Sequence, residues 1–159
     1  MAERHSVIPR TLCLVFYGDE ILMIKGSEKK DWSGIYNALG GHIEKGESVI
    51  DSAEREIREE SGLTVFETKL KGIVHATNFF GKNVMMFVTS SKANTKEVMS
   101  SDEGELVWIK ETEIDRLRMF EDMKPILERV IGMKPGEIFV GTSEFDGKDK
   151  LLALDIKVS

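Results

Sequence analysis

A single cysteine, Cys13, stands among the 159 residues, so no disulfide can form within one chain and a disulfide-stapled fold is excluded. No stretch approaches the roughly 18 apolar residues that a membrane-spanning helix needs, and the N-terminal MAERHSVIPR lacks the apolar segment of a secretory signal. Basic residues are in deficit. The 22 Lys and Arg against 28 Asp and Glu give a formal charge of -6, which argues against broad attraction to nucleic acid or an anionic membrane. The sequence therefore predicts a soluble, cytoplasmic protein with no membrane and no nucleic-acid polymer among its partners, and an anionic small substrate would need local compensation. Repeats, low-complexity segments and linkers are missing too. With 41% apolar residues to fill one core, residues 1–159 read as a single domain.

Cys13 lies in the apolar run TLCLVFY, which predicts a buried, inert thiol. That run (11–17) and EILMIK (20–25) flank Gly18-Asp19 and predict a β-hairpin. GSEKKDWSGIYN predicts a loop, followed by a short strand over 38–43 (ALGGHI). Ser48 can cap a helix whose apolar Ile50, Ala53 and Ile57 recur at helical spacing, with Gly62 as its left-handed C-terminal cap. Strands follow over 65–77, 84–90 and 105–110. Residues 111–131 predict a short helical piece to 117 and a longer helix from about 123, with Pro125 in its first turn. GEIFVGTSEF and KLLALDIKV flank DGKD as a closing hairpin. Strands on both sides of one strong helix predict an α/β or α+β architecture.

The helix carries REIREESG, with three glutamates in eight positions. At 100° per residue Glu56, Glu59 and Glu60 share an arc of roughly 100° beside the apolar stripe, so they line the rim of the core. Two readings stand at this point. Arg55 and Arg58 could pair with neighbouring carboxylates on a solvated face, each pair contributing about 0.2–0.5 kcal/mol. Alternatively, converging oxygens could hold a hard divalent cation.

The flanking residues extend the pattern. From Gly41 the chain reads GHIEKGESVIDSAEREIREESGL, with five residues between the glycine and Glu47, seven between Glu47 and Arg55-Glu56, then Glu59-Glu60, Gly62 and Leu63. This resembles the Nudix box at each of its defining positions, a coincidence expected by chance in fewer than roughly one chain in a million. The resemblance implies a Nudix fold, a mixed β-sheet sandwiched between α-helices, here with a C-terminal β-hairpin. It implies Mg2+- or Mn2+-dependent hydrolysis of a diphosphate linked to another group. Glu56, Glu59 and Glu60 match the family's metal-ligand positions, and the Gly41 carbonyl is a further ligand. Glu47 and Arg55 match a supporting ion pair. The carboxylate that takes a proton from water varies across the family; Glu60 is one candidate and Glu103, outside the box, is another.

The box does not read the leaving group. IYNALGGHIEKGES resembles the corresponding segment of MutT-like 8-oxo-dGTP diphosphatases, and by that resemblance Asn37 reaches the base. RMFEDMKPILERV resembles the same branch's aromatic and acidic segment, which would set Phe120 against the base and Glu121 or Asp122 at its polar edge. A shorter spacing to the next helix could move that contact by one residue. His42 stands where Lys is common, and Lys25 is a phosphate-partner candidate. His75 receives no role. The expectation is a nucleotide-pool enzyme, monomer or homodimer, that converts oxidised purine dNTPs to the monophosphate and pyrophosphate. The rivals are a Nudix hydrolase of nucleotide sugars, dinucleotides or undamaged NTPs, and a silent nucleotide-binding module.

Overall fold

The structure, a computed structural model, describes residues 2–99 and 102–159. β1 (Ile8–Tyr17) and β2 (Glu20–Gly26) meet as the predicted hairpin, with Phe16 opposite Ile21. β3 (Tyr36–Asn37) lies antiparallel to β2. β4 (Val65–Phe79) and β5 (Lys82–Ala93) form a long antiparallel pair, and β5 runs parallel to β1. β6 (Gly104–Lys110) pairs antiparallel with β2. β7 (Phe139–Phe145) runs parallel to β4 and pairs antiparallel with β8 (Leu151–Val158), the predicted closing hairpin. The sheet order is β3-β2-β1-β5-β4-β7-β8, with β6 on β2 off that path.

The unbroken apolar runs of β1 and β2 follow from burial on both faces. Leu12, Leu14, Ile21 and Met23 join Ile126, Leu127 and Val130 of helix α2 (Met123–Ile131). Between them in sequence, Cys13, Val15 and Leu22 join Ala53 and Ile57 of helix α1 (Val49–Ser61). The period-2 alternation of a strand thus sends successive residues to opposite helices. Burial pushes the Cys13 thiol up to about 11, so it stays a neutral, inert core group.

α1 begins where Ser48 Oγ accepts the Asp51 N–H at 3.0 Å. It ends at Gly62 (φ 79°), whose N–H donates to the Arg58 carbonyl. The sequence expectations differ from the structure at residues 38–43 and at the ends of β4 and β5. The strand expected over 38–43 is absent: the pairing with β2 is made by Tyr36 and Asn37, and beyond them only single bridges join Leu39 to Cys13 and His42 to Arg10. The short helical piece expected to 117 is present as a 3-10 helix over Glu111–Arg116, which buries Ile114. β4 and β5 both outrun their predicted limits, because pairing across the hairpin satisfies backbone groups at polar positions such as Lys82.

Ile57 is fully buried at the centre of the α1 contact. Ile57→Ala should therefore lower unfolding free energy by about 2–5 kcal/mol, read as a shifted urea midpoint at unchanged slope.

Candidate active site

Two glycines let the loop before α1 lie flat against β1. Gly40 has φ +147°, and a Cβ there would stand 2.1 Å from the Thr11 carbonyl oxygen, so no other residue fits. Gly41 accepts the Thr11 N–H through its carbonyl at 2.8 Å and donates its own N–H to Thr11 Oγ1 at 3.3 Å. A Cβ on Gly41 would stand 2.5 Å from Glu56 Oε1, so this glycine opens the space into which the helix carboxylate reaches.

Arg55 joins loop and helix. Its Nε and Nη2 donate to Glu47 at 2.6 and 2.9 Å, and Nη2 also donates to the His42 carbonyl at 3.2 Å. Nη1 donates to Glu56 at 3.0 Å and to Glu59 at 3.2 Å. Glu47 also accepts the Glu44 N–H at 2.8 Å. Hydrogen bonding to Arg55 holds the Glu47 carboxyl down at about 2, while the same contact raises the Arg55 guanidinium above its ordinary value. The predicted Arg55–Glu47 pair is therefore present, and Arg55 contacts two of the three box carboxylates as well.

Glu60 differs from its neighbours. Its Oε1 accepts the Gly40 N–H at 3.0 Å, and among the described residues it has no cationic partner. Burial pushes its carboxyl up to about 8, against the pull of the Gly40 N–H, and the like charges of Glu56 and Glu103 add to the rise. Glu103, exposed in the turn before β6, thus stands near enough to feel the helix acids. The donor set of carboxylates and a backbone carbonyl consists entirely of oxygens, and burial, with neighbouring like charge second, has lifted one member towards neutrality. Those features fit a hard divalent cation. Arg55 occupies Glu56 and Glu59 in this conformation, and no three acidic, His or Cys side chains among the described residues form a metal-holding group as they stand.

A cavity of about 480 Å³ joins this cluster to an aromatic one. Gly40, Glu60 and Glu103 line it together with Asn37, Phe120 and Asp122. Phe79 stacks edge-on against both Phe120 (5.1 Å between centroids) and Phe145 (4.8 Å). Asn37 Oδ1 accepts the Ala38 N–H at 2.9 Å, which aims the side chain while leaving its amide N–H groups free of that bond. Asp122 is 8% exposed, and burial with the adjacent Glu121 charge pushes its carboxyl up to about 6.

Two expected contacts lie elsewhere. Glu121 is exposed, accepts the Leu151 N–H at 3.2 Å and does not line the cavity; of the acidic pair only Asp122 turns inward. Lys25 is also outside the lining: it pairs with Tyr36 across the β2–β3 ladder, and its Nζ sits 5.7 Å from that ring's centroid. Arg10, Lys30 and Lys82 supply the cavity's basic groups instead. Trp32 also lines it and was not anticipated. A lone tryptophan in an otherwise polar loop was the signal that could have found it.

Residues 8–130 match the family model described as the NUDIX domain. The Nudix hydrolase YvcI of Bacillus subtilis is 31% identical over 90% of this chain and 90% of its own length. The oxidized purine nucleoside triphosphate hydrolase of Danio rerio is 30% identical over 89% of each. A crystal structure of a MutT protein from Bacillus halodurans superposes with a TM-score of 0.84 at 29% identity, covering 95% of this chain and 98% of that one. Stretches of the chain are also similar to bacterial NAD-capped RNA hydrolases, with 43% of the length matched in the one from Actinobacillus succinogenes.

Because the folded Glu60 value of about 8 exceeds the ordinary 4.5, the folded chain binds more protons than the unfolded one between those values. Stability of the metal-free protein should then fall as pH rises through that window. Glu60→Gln, which keeps an acceptor for Gly40, should raise the metal-free Tm at pH 8 by roughly 2–8 °C and leave it almost unchanged at pH 4.5. Thermal melts in chelator at both pH values check this.

Proposed function

From the premise that the chain belongs to the Nudix hydrolase family, we propose that it cleaves nucleoside triphosphates to the monophosphate and pyrophosphate, with oxidised purine deoxynucleotides preferred. The observation that carries this reading is the single cavity in which Asn37, Phe120 and Asp122 share walls with Glu60 and Glu103. A purine placed against Phe120 presents a polar edge of donors and acceptors. The free amide N–H groups of Asn37 and the carboxyl of Asp122, a donor when protonated and an acceptor when ionised, can read that edge. A site built to pair polar groups discriminates far more strongly than an apolar pocket, because a mismatched base leaves buried groups unpaired.

Glu56, Glu59, Glu60 and Glu103 with the Gly41 carbonyl would hold the cation. When bound, Mg2+ or Mn2+ would polarise phosphate oxygens and lower the pKa of water. The chain's own contribution is position and proton transfer. Arg55 fixes the helix acids against the loop, and Gly40 orients the Glu60 carboxylate through its N–H. Water adds to phosphorus, its proton passes to a carboxylate oxygen of Glu60 or Glu103, and the bridging P–O bond breaks. The similarity to NAD-capped RNA hydrolases supports a second reading, in which the substrate is a dinucleotide-type diphosphate.

With Mg2+, hydrolysis followed as release of the nucleoside monophosphate should be faster from 8-oxo-dGTP and 2-hydroxy-dATP than from dGTP, NAD or ADP-ribose. A preference for NAD or ADP-ribose would overturn the substrate assignment, and inactivity on the whole panel would favour a silent binding module. Glu59→Gln should reduce turnover on the order of 10²–10³-fold at unchanged fold. Glu103→Gln should also lower kcat without moving Tm, and unaltered turnover would remove Glu103 from the proton-transfer step.

A further inference from the structure

β8 closes one end of the sheet, and among the described residues no strand pairs with its outer edge. Its eight residues, LLALDIKV, contain no proline and mix exposed apolar side chains with two charges. Leu152 is 58% and Val158 36% exposed. An edge of this length and composition offers a row of backbone donors and acceptors to another strand. A groove of about 480 Å³ runs beside it, where Leu154 and Ile156 face Pro125, Arg129 and Gly132 of the α2 region. The two charges, Asp155 and Lys157, sit two residues apart on the same side of the strand, with Nζ 3.5 Å from Oδ2.

We propose that β8 is a homodimer interface, in which a second copy's β8 adds antiparallel to the edge about a twofold axis through Ile156. The axis lies perpendicular to the sheet, so each residue keeps its face and paired residue numbers must have an even sum. Centring on Asp155 sets two aspartates opposite each other, and centring on Lys157 sets two lysines together; both are repulsive. Centring on Leu154 leaves both charges facing apolar residues. Centring on Ile156 pairs Asp155 with Lys157 twice, Ile156 with itself and Leu154 with Val158. The added strand also runs along the groove beside α2, covering Leu154 and Ile156, which the chain alone leaves half-buried. Charge complementarity and the adjoining groove thus select the same centre.

Sedimentation equilibrium at rising protein concentration should show a species of twice 17.9 kDa. Asp155→Lys alone, or Lys157→Asp alone, turns both cross-axis pairs into like-charge pairs and should weaken the dimer about tenfold or more. The double exchange, Asp155→Lys with Lys157→Asp, should restore it. A chain that stays monomeric at all concentrations would overturn the proposal, as would single reversals without effect or a double exchange that fails to rescue. Hydrogen exchange on the unaltered chain tests it without mutation: β8 amides should gain protection with concentration, and concentration-independent exchange counts against the interface.

Discussion

The guanidinium of Arg55 is the point on which the site's architecture depends. One side chain donates to Glu47, to the His42 carbonyl and to both Glu56 and Glu59, so a single cation ties the loop after β3 to the first three turns of α1. Without it, carboxylates on one face of a helix would repel at spacings where like charges destabilise. With it, Glu56 and Glu59 can lie close together in the chain alone. Gly40 and Gly41 make the other half of the junction by bringing the loop backbone within hydrogen-bonding distance of Thr11. The arginine would be misplaced if the loop stood a side chain's width farther out.

The unequal distribution of that positive charge separates the acids into roles. Glu56 and Glu59 are compensated, whereas Glu60 is half-buried with only the Gly40 N–H to receive. Its raised pKa is a consequence of burial first and of neighbouring charge second. Glu60 lines the cavity together with residues of β1, β2, β4 and β5. Phe79, Phe120 and Phe145 pack edge to face in the lining that Asn37 and Asp122 share.

Local rules made much of the fold legible. Gly18-Asp19 marked the first hairpin, Ser48 and Gly62 marked both ends of α1, and helical spacing placed Glu56, Glu59 and Glu60 on one face. Where long-range pairing competes with local pattern, the sequence misled. Residues 38–43 look like a strand, but the close approach of Gly40 to Thr11 permits only isolated bridges.

The sequence by itself determined the carboxylate face of the box, because helical spacing alone sets Glu56, Glu59 and Glu60 on one side of α1. The pairing of Glu47 with Arg55 was implied by the resemblance to the Nudix box, and the structure contains it. Only the tertiary structure decided which neighbours of that box share a cavity with it. It turned Asp122 inward and left Glu121 on the surface, removed Lys25, and brought in Trp32, Arg10 and Lys82. The physical reason is that adjacent residues outside a regular helix differ in direction according to what they pack against. Those packing partners lie on strands distant in sequence, and no local spacing encodes them.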